Sequence, residues 1–522
     1  MKQEQAQQTP SPATAFPGGL LPRLADKAAV TMAESGQSMS YGELDAFANR
    51  LGRMYQWLGL KTGEHVAYML ENRLECPAVQ WGAHYAGLYY TFVSTRLMPA
   101  EAAYIVSDCE AKVLIVSAKT AGPVLDAIRG IENPPRIYSL DPVAGLQVLD
   151  DAISAFEASP IKGTFEGSEM LYSSGTTGKP KGVKPAMTGL PLGSSSMIAT
   201  LMQRGFGVGE DSVYLSPAPH YHAAPMKWGQ GVTTLGGTVI IMEKFDAEGA
   251  LAAIEKYGVT HSQWVPTMFH RILGLPKEVR DRYDLSSQKV AVHAAAPCPI
   301  ATKQAMIDWW GPIIFEYYSC TEAIGMTFTD SKAWLDHPGT VGRPLLGVPH
   351  ILDEEGNELP AGEDGLVYFA DGTKFSYHND ESKTAEAFND KGWSTVGDIG
   401  HLDEEGFLYL TDRKSNMIIS GGVNVYPQET ENWMISHPAI YDVAVIGTPH
   451  PDFGEEVRAV VQLEAGIEPS DALVEELKDY CREQLSSIKC PREIDFRAEL
   501  PREPNGKLLK RLLIDEYRKL AQ

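Results

Sequence analysis

Residues 172–182 read Tyr-Ser-Ser-Gly-Thr-Thr-Gly-Lys-Pro-Lys-Gly, a run that follows the end of an apolar segment and interleaves hydroxyls, glycines and lysines. Such a loop is built to hold phosphate. Gly175, Gly178 and Gly182 let backbone N–H groups turn toward an anion, Ser173, Ser174, Thr176 and Thr177 add hydroxyl donors, and Lys179 and Lys181 add positive charge. A flexible Ser/Gly/Thr linker does not alternate so tightly with lysine. The GxxxxGK[ST] loop of P-loop NTPases fails here, because Ser173 stands at the first glycine and Pro180 follows Lys179. A standard P-loop ATPase is disfavoured.

Outward from this loop, the chain alternates short apolar runs with amphipathic stretches. Ser40 and Glu43 form a capping-box pattern, Leu44, Phe47, Leu51, Met54 and Leu58 recur at helical spacing, and Gly59 is placed to end that helix. Apolar runs at 66–70, 113–116, 238–242, 261–265, 289–292 and 313–317 read as strands. Strands alternating with helices predict an α/β fold with largely parallel sheets, in which ligands bind beyond the carboxyl ends of the strands. Residues 293–299 (His-Ala-Ala-Ala-Pro-Cys-Pro) and 317–322 (Tyr-Tyr-Ser-Cys-Thr-Glu) sit at two such ends and are expected to face one crevice.

A different texture begins near Asp412. A glycine pair, Gly421 and Gly422, precedes apolar runs at 443–446 and 457–461, then a helix carrying Leu473, Leu477, Tyr480 and Leu485 on one face, and a basic C-terminal helix after Gly506. This pattern predicts a polar tail at 1–18, a large N-terminal domain at 19–412, a hinge at 413–416 and a small α+β domain at 417–522.

At 522 residues the chain is too long for a single ordinary core, and 43% apolar with 22% charged residues is ordinary globular composition. Its 45 basic against 68 acidic residues leave a net charge of −23, which argues against nucleic acid or an anionic membrane as a partner. The six cysteines form no CxxC pair and no Cys/His cluster, so neither a disulfide framework nor a zinc site is indicated. The polar, Pro-rich start lacks the apolar core of a secretory signal, and no run reaches bilayer length. A cytoplasmic enzyme is expected.

Further constellations carry chemistry. Tyr318 offers a flat face for adenine, Thr321 a hydrogen bond to phosphate and Glu322 an oxygen ligand for Mg²⁺. Asp398, in a Gly-Asp-x-Gly turn, can accept from both ribose hydroxyls, and the Arg413 guanidinium can share the same sugar. Lys507 lies in a Pro-Asn-Gly turn ahead of an amphipathic helix, where a lysine can be delivered and withdrawn. Residues 217–231, with His222, Met226 and Trp228 among small residues, suggest a gate and an apolar pocket wall; core packing explains Met226 and Trp228 equally well.

The loop resembles the phosphate-binding signature of AMP-forming adenylating enzymes: acyl-CoA synthetases, adenylation domains of peptide synthetases and firefly-type luciferases. The resemblance runs from residue 25 to residue 515 and keeps the motif order. Residues 318–322 are similar to the family's Tyr-Gly-x-Thr-Glu, with Ser319 where glycine is usual. Asp398 and Arg413 match ribose-binding positions, Ser415 falls at the hinge position where Asp or Lys is usual, and residues 501–507 are similar to the segment bearing the adenylation lysine. After Lys181 the chain reads Gly-Val-Lys-Pro-Ala-Met, a departure from the common ending with Thr-His.

The resemblance implies nucleotide binding by Ser173, Ser174, Gly175, Thr176, Thr177, Gly178, Lys181, Ala295, Ala296, Pro297, Tyr318, Ser319, Cys320, Thr321, Asp398, Arg413 and Lys507, with Gly421 and Gly422 on the face that meets the thiol substrate. It implies Mg²⁺ at Glu322 and Thr176, and catalytic roles for Lys507, Thr176, Glu322 and His222, the last beside the acyl carboxylate. The implied substrates are ATP, coenzyme A and a carboxylic acid, and homodimers are common among such relatives. Amino-acid-activating relatives place an Asp in the gate region, and none occurs between Asp211 and Asp246. Ala223, Ala224, Gly229, Trp264, Ala294, Ala295, Gly325 and Met326 suggest a bulky apolar acid: fatty, aryl or steroid side-chain. Two alternatives stand beside the CoA ligase: transfer of the acyl group to a carrier protein, and a non-catalytic nucleotide-binding homologue.

Overall fold

A computed structural model describes residues 15–173, 180–194, 197–502 and 508–520. Two compact units emerge: Met1–Trp264 with Gly274–Val292 and Lys374–Thr384, and Val265–Leu273 with His293–Thr373 and Ala385–Gln522.

The first unit is built on parallel sheets. One runs in the order Gln147–Val148, Arg136–Ser139, Val113–Val116, His65–Met69, Tyr89–Phe92, Ser168–Glu169, with every pair parallel. Its central strands are buried along their whole length, as a sheet covered on both faces requires. Another contains His261–Trp264, Val213–Ser216, Thr238–Ile241 and Ala28–Met32 as parallel neighbours, with Ser38–Ser40 antiparallel at its edge.

Helix Tyr41–Trp57 begins as the sequence predicts. Ser40 Oγ accepts from the Glu43 N–H at 3.2 Å and the Glu43 carboxylate accepts from the Ser40 N–H at 2.8 Å. It ends at Gly59, where φ is +87° and the Leu60 N–H reaches back to the Tyr55 carbonyl. Leu44, Leu51 and Met54 are buried. Helix Cys76–Tyr85 crosses it closely because of a glycine: a Cβ on Gly82 would stand 2.7 Å from Leu51 Cδ2.

A small antiparallel sheet carries the ends of the phosphate-loop segment. Strand Leu171–Ser173 pairs with Lys181–Lys184, with Ser173 opposite Lys181, and Lys181–Lys184 pairs with Ser376–Tyr377.

In the second unit, strand Ile314–Ser319 pairs antiparallel with Met326–Asp330, which pairs antiparallel with Arg343–Leu346. The apolar run at 313–317 is therefore a strand, as expected; its antiparallel neighbour is the strand that follows it, Met326–Asp330, which is not among the expected apolar runs. The next strand returns after a short loop, leaving no room for a crossover helix. A four-stranded antiparallel sheet follows, Val348–Leu352, Gly365–Ala370, Asp398–Leu402 and Leu408–Arg413.

The last sheet joins Val423–Val425, Ile418–Ser420, Gly454–Leu463 and Ile440–His450, with Glu493–Arg497 parallel to Gly454–Leu463. Helix Asp471–Arg482 buries Leu473 and Leu477 in the same core as Val443, Val445 and Val461. Leu485 joins that core from beyond the helix end, and Tyr480 is only half-buried. The mixed α/β architecture, with a large N-terminal part rich in parallel sheet and a smaller C-terminal one, agrees with the expected fold class.

Candidate nucleotide and acyl site

Residues 174–179, which include Ser174, Gly175, Thr176, Thr177 and Gly178, and residues 503–507, which include Lys507, lie outside the described residues. Their flanks are well anchored. The Tyr172 hydroxyl donates to Asp108 Oδ2 at 2.5 Å, the His378 N–H donates to the Gly182 carbonyl at 2.8 Å, and the His378 ring Nε2 lies 3.0 Å from the Asp108 carbonyl oxygen. The Lys181 ammonium stands over the Tyr377 ring, 5.0 Å from its centroid. Asp108, Tyr377 and His378 carried no motif signal, since only long-range pairing brings them to Tyr172, Lys181 and Gly182.

In the second unit, three residues expected to handle a nucleoside meet. The Tyr318 hydroxyl donates to Asp398 Oδ2 at 2.6 Å, and Arg413 Nε donates to Asp398 Oδ1 at 2.9 Å. The strand register produces the second contact, since Asp398 and Arg413 are paired across neighbouring strands. Asp398 is buried while the Arg413 side chain is 48% exposed. The carboxylate raises the Arg413 pKa, while burial and then Asp398 push the Tyr318 hydroxyl well above its ordinary value.

Ser319 resolves its departure from glycine locally: its hydroxyl donates to the Gly325 carbonyl at 2.8 Å, tying the strand end to the far side of the hairpin. Glu322 is buried in that hairpin, and burial followed by the Glu322 charge pushes the neighbouring Cys320 thiol up to about 12. Thr321 is half-buried. Among the described residues no group of three or more His, Cys, Asp or Glu could hold a metal ion. A single carboxylate fits Mg²⁺, which takes most of its ligands from phosphates and water when a nucleotide carries it.

Ala294 is buried at the end of strand Val290–His293; Ala295 and Pro297 are exposed and Ala296 is half-buried. Ala295 adopts φ +77°, a conformation in which the Cβ is strained.

His222 caps helix Ala223–Thr234 at its N-terminus, its ring 4.6 Å from that of Tyr221. The preceding His220 is buried, its Nε2 3.1 Å from Gln80 Oε1, and its N–H donates to Asn72 Oδ1 at 2.7 Å. Trp228 packs on Tyr214 and Phe206, and Met226 is fully buried, so both belong to the core. Trp264 is likewise enclosed, its indole N–H donating to Ser262 Oγ at 2.7 Å. Ala223 and Ala224 are half-buried, Gly229 is buried, and Met326 is half-buried at the far end of the hairpin.

Residues 414–416 form a 3₁₀ turn between strands, with Ser415 exposed. Buried Asp412 ties both sides of it, accepting from Asn416 Nδ2 at 3.0 Å and from the Gln428 N–H at 2.9 Å. Gly421 and Gly422 are exposed with φ of +58° and +82°. Arg502 bonds the Asp442 carboxylate at 2.5 and 2.6 Å, and Lys510 pairs with Glu431 at 2.8 Å, so each flank of 503–507 is tied by an ion pair.

Mixed α/β architecture and a buried carboxylate braced by a tyrosine and an arginine are what an adenylate-forming enzyme needs. Comparison with known proteins makes this specific: the AMP-binding enzyme model matches residues 20–374 and the AMP-binding enzyme C-terminal domain model matches 429–507. The chain belongs to the AMP-binding enzyme family, in its acyl-CoA synthetase branch. It is 32% identical over 486 residues to the long-chain-fatty-acid–CoA ligase FadD13 of Mycobacterium tuberculosis (strain ATCC 25618 / H37Rv), covering 92% of this chain and 93% of that protein. It is 30% identical over 482 residues to the 3-[(3aS,4S,7aS)-7a-methyl-1,5-dioxo-octahydro-1H-inden-4-yl]propanoyl:CoA ligase of Rhodococcus jostii (strain RHA1), covering 88% and 90%. The crystal structure of the anthranilate CoA ligase AuaEII with anthranoyl-AMP superposes with a TM-score of 0.83 at 26% identity, covering 100% of both chains. Among the described residues no helix is long and apolar enough to cross a membrane.

Proposed function

We propose that this enzyme joins a bulky, apolar carboxylic acid to coenzyme A through an acyl-adenylate, with release of pyrophosphate and then AMP. The observation that carries the nucleotide half of this reading is the contact of Tyr318 and Arg413 with the buried Asp398 carboxylate. Each carboxylate oxygen there keeps a lone pair for a ribose hydroxyl, and the exposed face of Arg413 lies beside the same sugar. Tyr318 presents its ring to the adenine, Ala295–Pro297 line the base, and residues 173–178 with Lys181 cradle the phosphates.

The acid's carboxylate attacks the α-phosphate in line, and no protein nucleophile is needed. Catalysis is positioning plus charge stabilisation. Glu322 and Thr176 would hold Mg²⁺, which when bound neutralises phosphate charge. Lys507 bridges the carboxylate and α-phosphate as charge builds, and His222 stands beside the acyl carboxylate. In the second half-reaction the C-terminal domain turns about 413–416, withdrawing Lys507 and bringing the Gly421–Gly422 face to the thiol. The fatty acid and indane-propanoate ligases among the relatives support an apolar acid. The six cysteines, all free, suit a reducing cytoplasm.

The test is pyrophosphate release with acetate, octanoate and benzoate, with and without CoA, on wild type and Lys507→Ala. Octanoate or benzoate should exceed acetate, acyl-CoA should form, and the variant should lose about 10²–10³ in adenylation rate. Acetate as the clear favourite would overturn the bulky-acid assignment, and adenylation with a carrier protein but not CoA as acceptor would overturn the CoA assignment.

A further inference from the structure

Lys303 and Glu316 form an ion pair in the interior of the second unit, Nζ to Oε2 at 2.5 Å, with exposures of 0% and 4%. Lys303 lies on helix Ile300–Trp310, and Glu316 lies on strand Ile314–Ser319. The Lys303 ammonium also stands over the Trp334 ring, 4.9 Å from its centroid. His293, fully buried, places Nε2 3.5 Å from the same Glu316 oxygen, and neither of its ring nitrogens makes a hydrogen bond among the described residues. The Phe269 ring meets the His293 ring edge-on, with centroids 5.5 Å apart.

A buried ion pair seldom stabilises a fold more than a well-packed apolar pair of the same volume. Its location suggests another role. His293 is the last residue of the strand that ends in Ala294–Pro297, and Lys303 is in the helix that follows that loop. Glu316 precedes Tyr318 by two residues, so the two side chains share one face of the strand that ends in the Glu322 hairpin. The Glu316 carboxylate thus ties the helix that follows the strained Ala295 turn to the strand that presents Tyr318, with the His293 ring packed beside the pair.

We propose that Lys303 and Glu316 are positioning residues for the nucleotide, fixing the 295–297 loop against Tyr318. The proposal rests on the adenylating reading. Unlike the groups assigned above, neither touches the reacting atoms; each acts through Ala295–Pro297 or Tyr318.

The experiment uses the full chain, with Lys303→Met/Glu316→Leu, which replaces the pair by apolar groups, and Glu316→Gln, which keeps the shape. Thermal melting, AMP affinity by calorimetry, and the KM for ATP and for octanoate in pyrophosphate release are measured for each. The double variant should melt no lower than wild type, yet its AMP Kd and ATP KM should rise about tenfold to a hundredfold, with the octanoate KM within about twofold, since small misplacements of binding groups carry losses of that size. A folded double variant with wild-type AMP affinity and ATP KM overturns the proposal and leaves the adenylating reading intact. If the double variant does not fold, Glu316→Gln decides: a raised ATP KM with an unchanged octanoate KM supports the proposal, and unchanged values for both overturn it. Wild type that binds no AMP and releases no pyrophosphate overturns the adenylating reading and the proposal with it.

Discussion

The Tyr318 hydroxyl and the Asp398 carboxylate, 80 residues apart in the chain, meet at 2.6 Å. The contact converts an aromatic residue at the end of a strand into a brace for a buried acid. Asp398 Oδ2 takes the tyrosine and Oδ1 takes Arg413 Nε, which fixes the plane of the carboxylate before any ligand arrives. Preorganised acceptors of this kind need no rearrangement on binding, which is where affinity is usually lost.

Tyr318→Phe keeps the ring and removes the brace. The loss of a hydrogen bond to a buried carboxylate should lower stability by about 1–3 kcal/mol, and the ATP KM should rise while the octanoate KM stays. Urea denaturation with steady-state kinetics checks both, and an unchanged ATP KM would mean that the brace is structural only.

Glu322 contributes the one carboxylate proposed for Mg²⁺, so Glu322→Gln should shift the Mg²⁺ concentration needed for half-maximal pyrophosphate release upward, because a neutral amide is a poorer ligand for a hard cation. Excess Mg²⁺ should recover part of the rate. EDTA should abolish release in both forms, and an unshifted Mg²⁺ dependence would remove Glu322 from the metal.

Burial alone pulls His220 down to about 3, against an ordinary value of 6.5. The folded state therefore keeps this imidazole neutral where the unfolded chain would protonate it. The stability associated with the neutral ring is fully present above pH 6.5 and is lost as pH falls toward 3, by about 1.4 kcal/mol per unit. His220→Gln cannot titrate. Referenced to pH 7.5, wild type should lose about 2 kcal/mol more than this variant by pH 5.0, read from urea midpoints at both values. Parallel losses in the two proteins would show that His220 does not carry the acid sensitivity.

Much of the fold was legible because its signals are local. The capping box at Ser40 and Glu43, the glycine stop at Gly59 and the buried run Val113–Val116 each depend on neighbours within a few residues. The returning strand Met326–Asp330 was not legible, since Met-Thr-Phe-Thr-Asp forms no apolar run and its antiparallel pairing follows only from the short loop after Ser319. In the candidate site, Asp398 is singled out by a Gly-Asp-x-Gly pattern and Arg413 by an Asp-Arg pair and the family resemblance, but the Tyr318 brace and the Asp108 anchor of Tyr172 depend on long-range register. Trp228 and Trp264 show the converse limit: an indole among small residues has the same composition whether it lines a pocket or fills a core, and both fill the core.

Gly325 tests the hairpin that carries Glu322. Its φ is not in the left-handed region, so the demand for glycine is spatial: a Cβ there would lie 2.1 Å from Phe369 Cδ1. Phe369 cannot simply turn aside, because it is buried in strand Gly365–Ala370 with its ring 6.3 Å from that of Tyr318. The backbone at 325 must therefore move, and with it the carbonyl that accepts from Ser319 Oγ. Gly325→Ala should lower stability by about 1–3 kcal/mol, the usual range for overpacking, and raise the ATP KM through Tyr318. Phe369→Leu removes the atoms in the way at the expense of a small cavity. If the clash is the cause, adding Gly325→Ala to Phe369→Leu should cost much less than adding it to wild type, a coupling of about 0.5–3 kcal/mol in a double-mutant cycle. Additive losses would place the demand for glycine in the backbone of the loop, and the Phe369 contact would then not explain it.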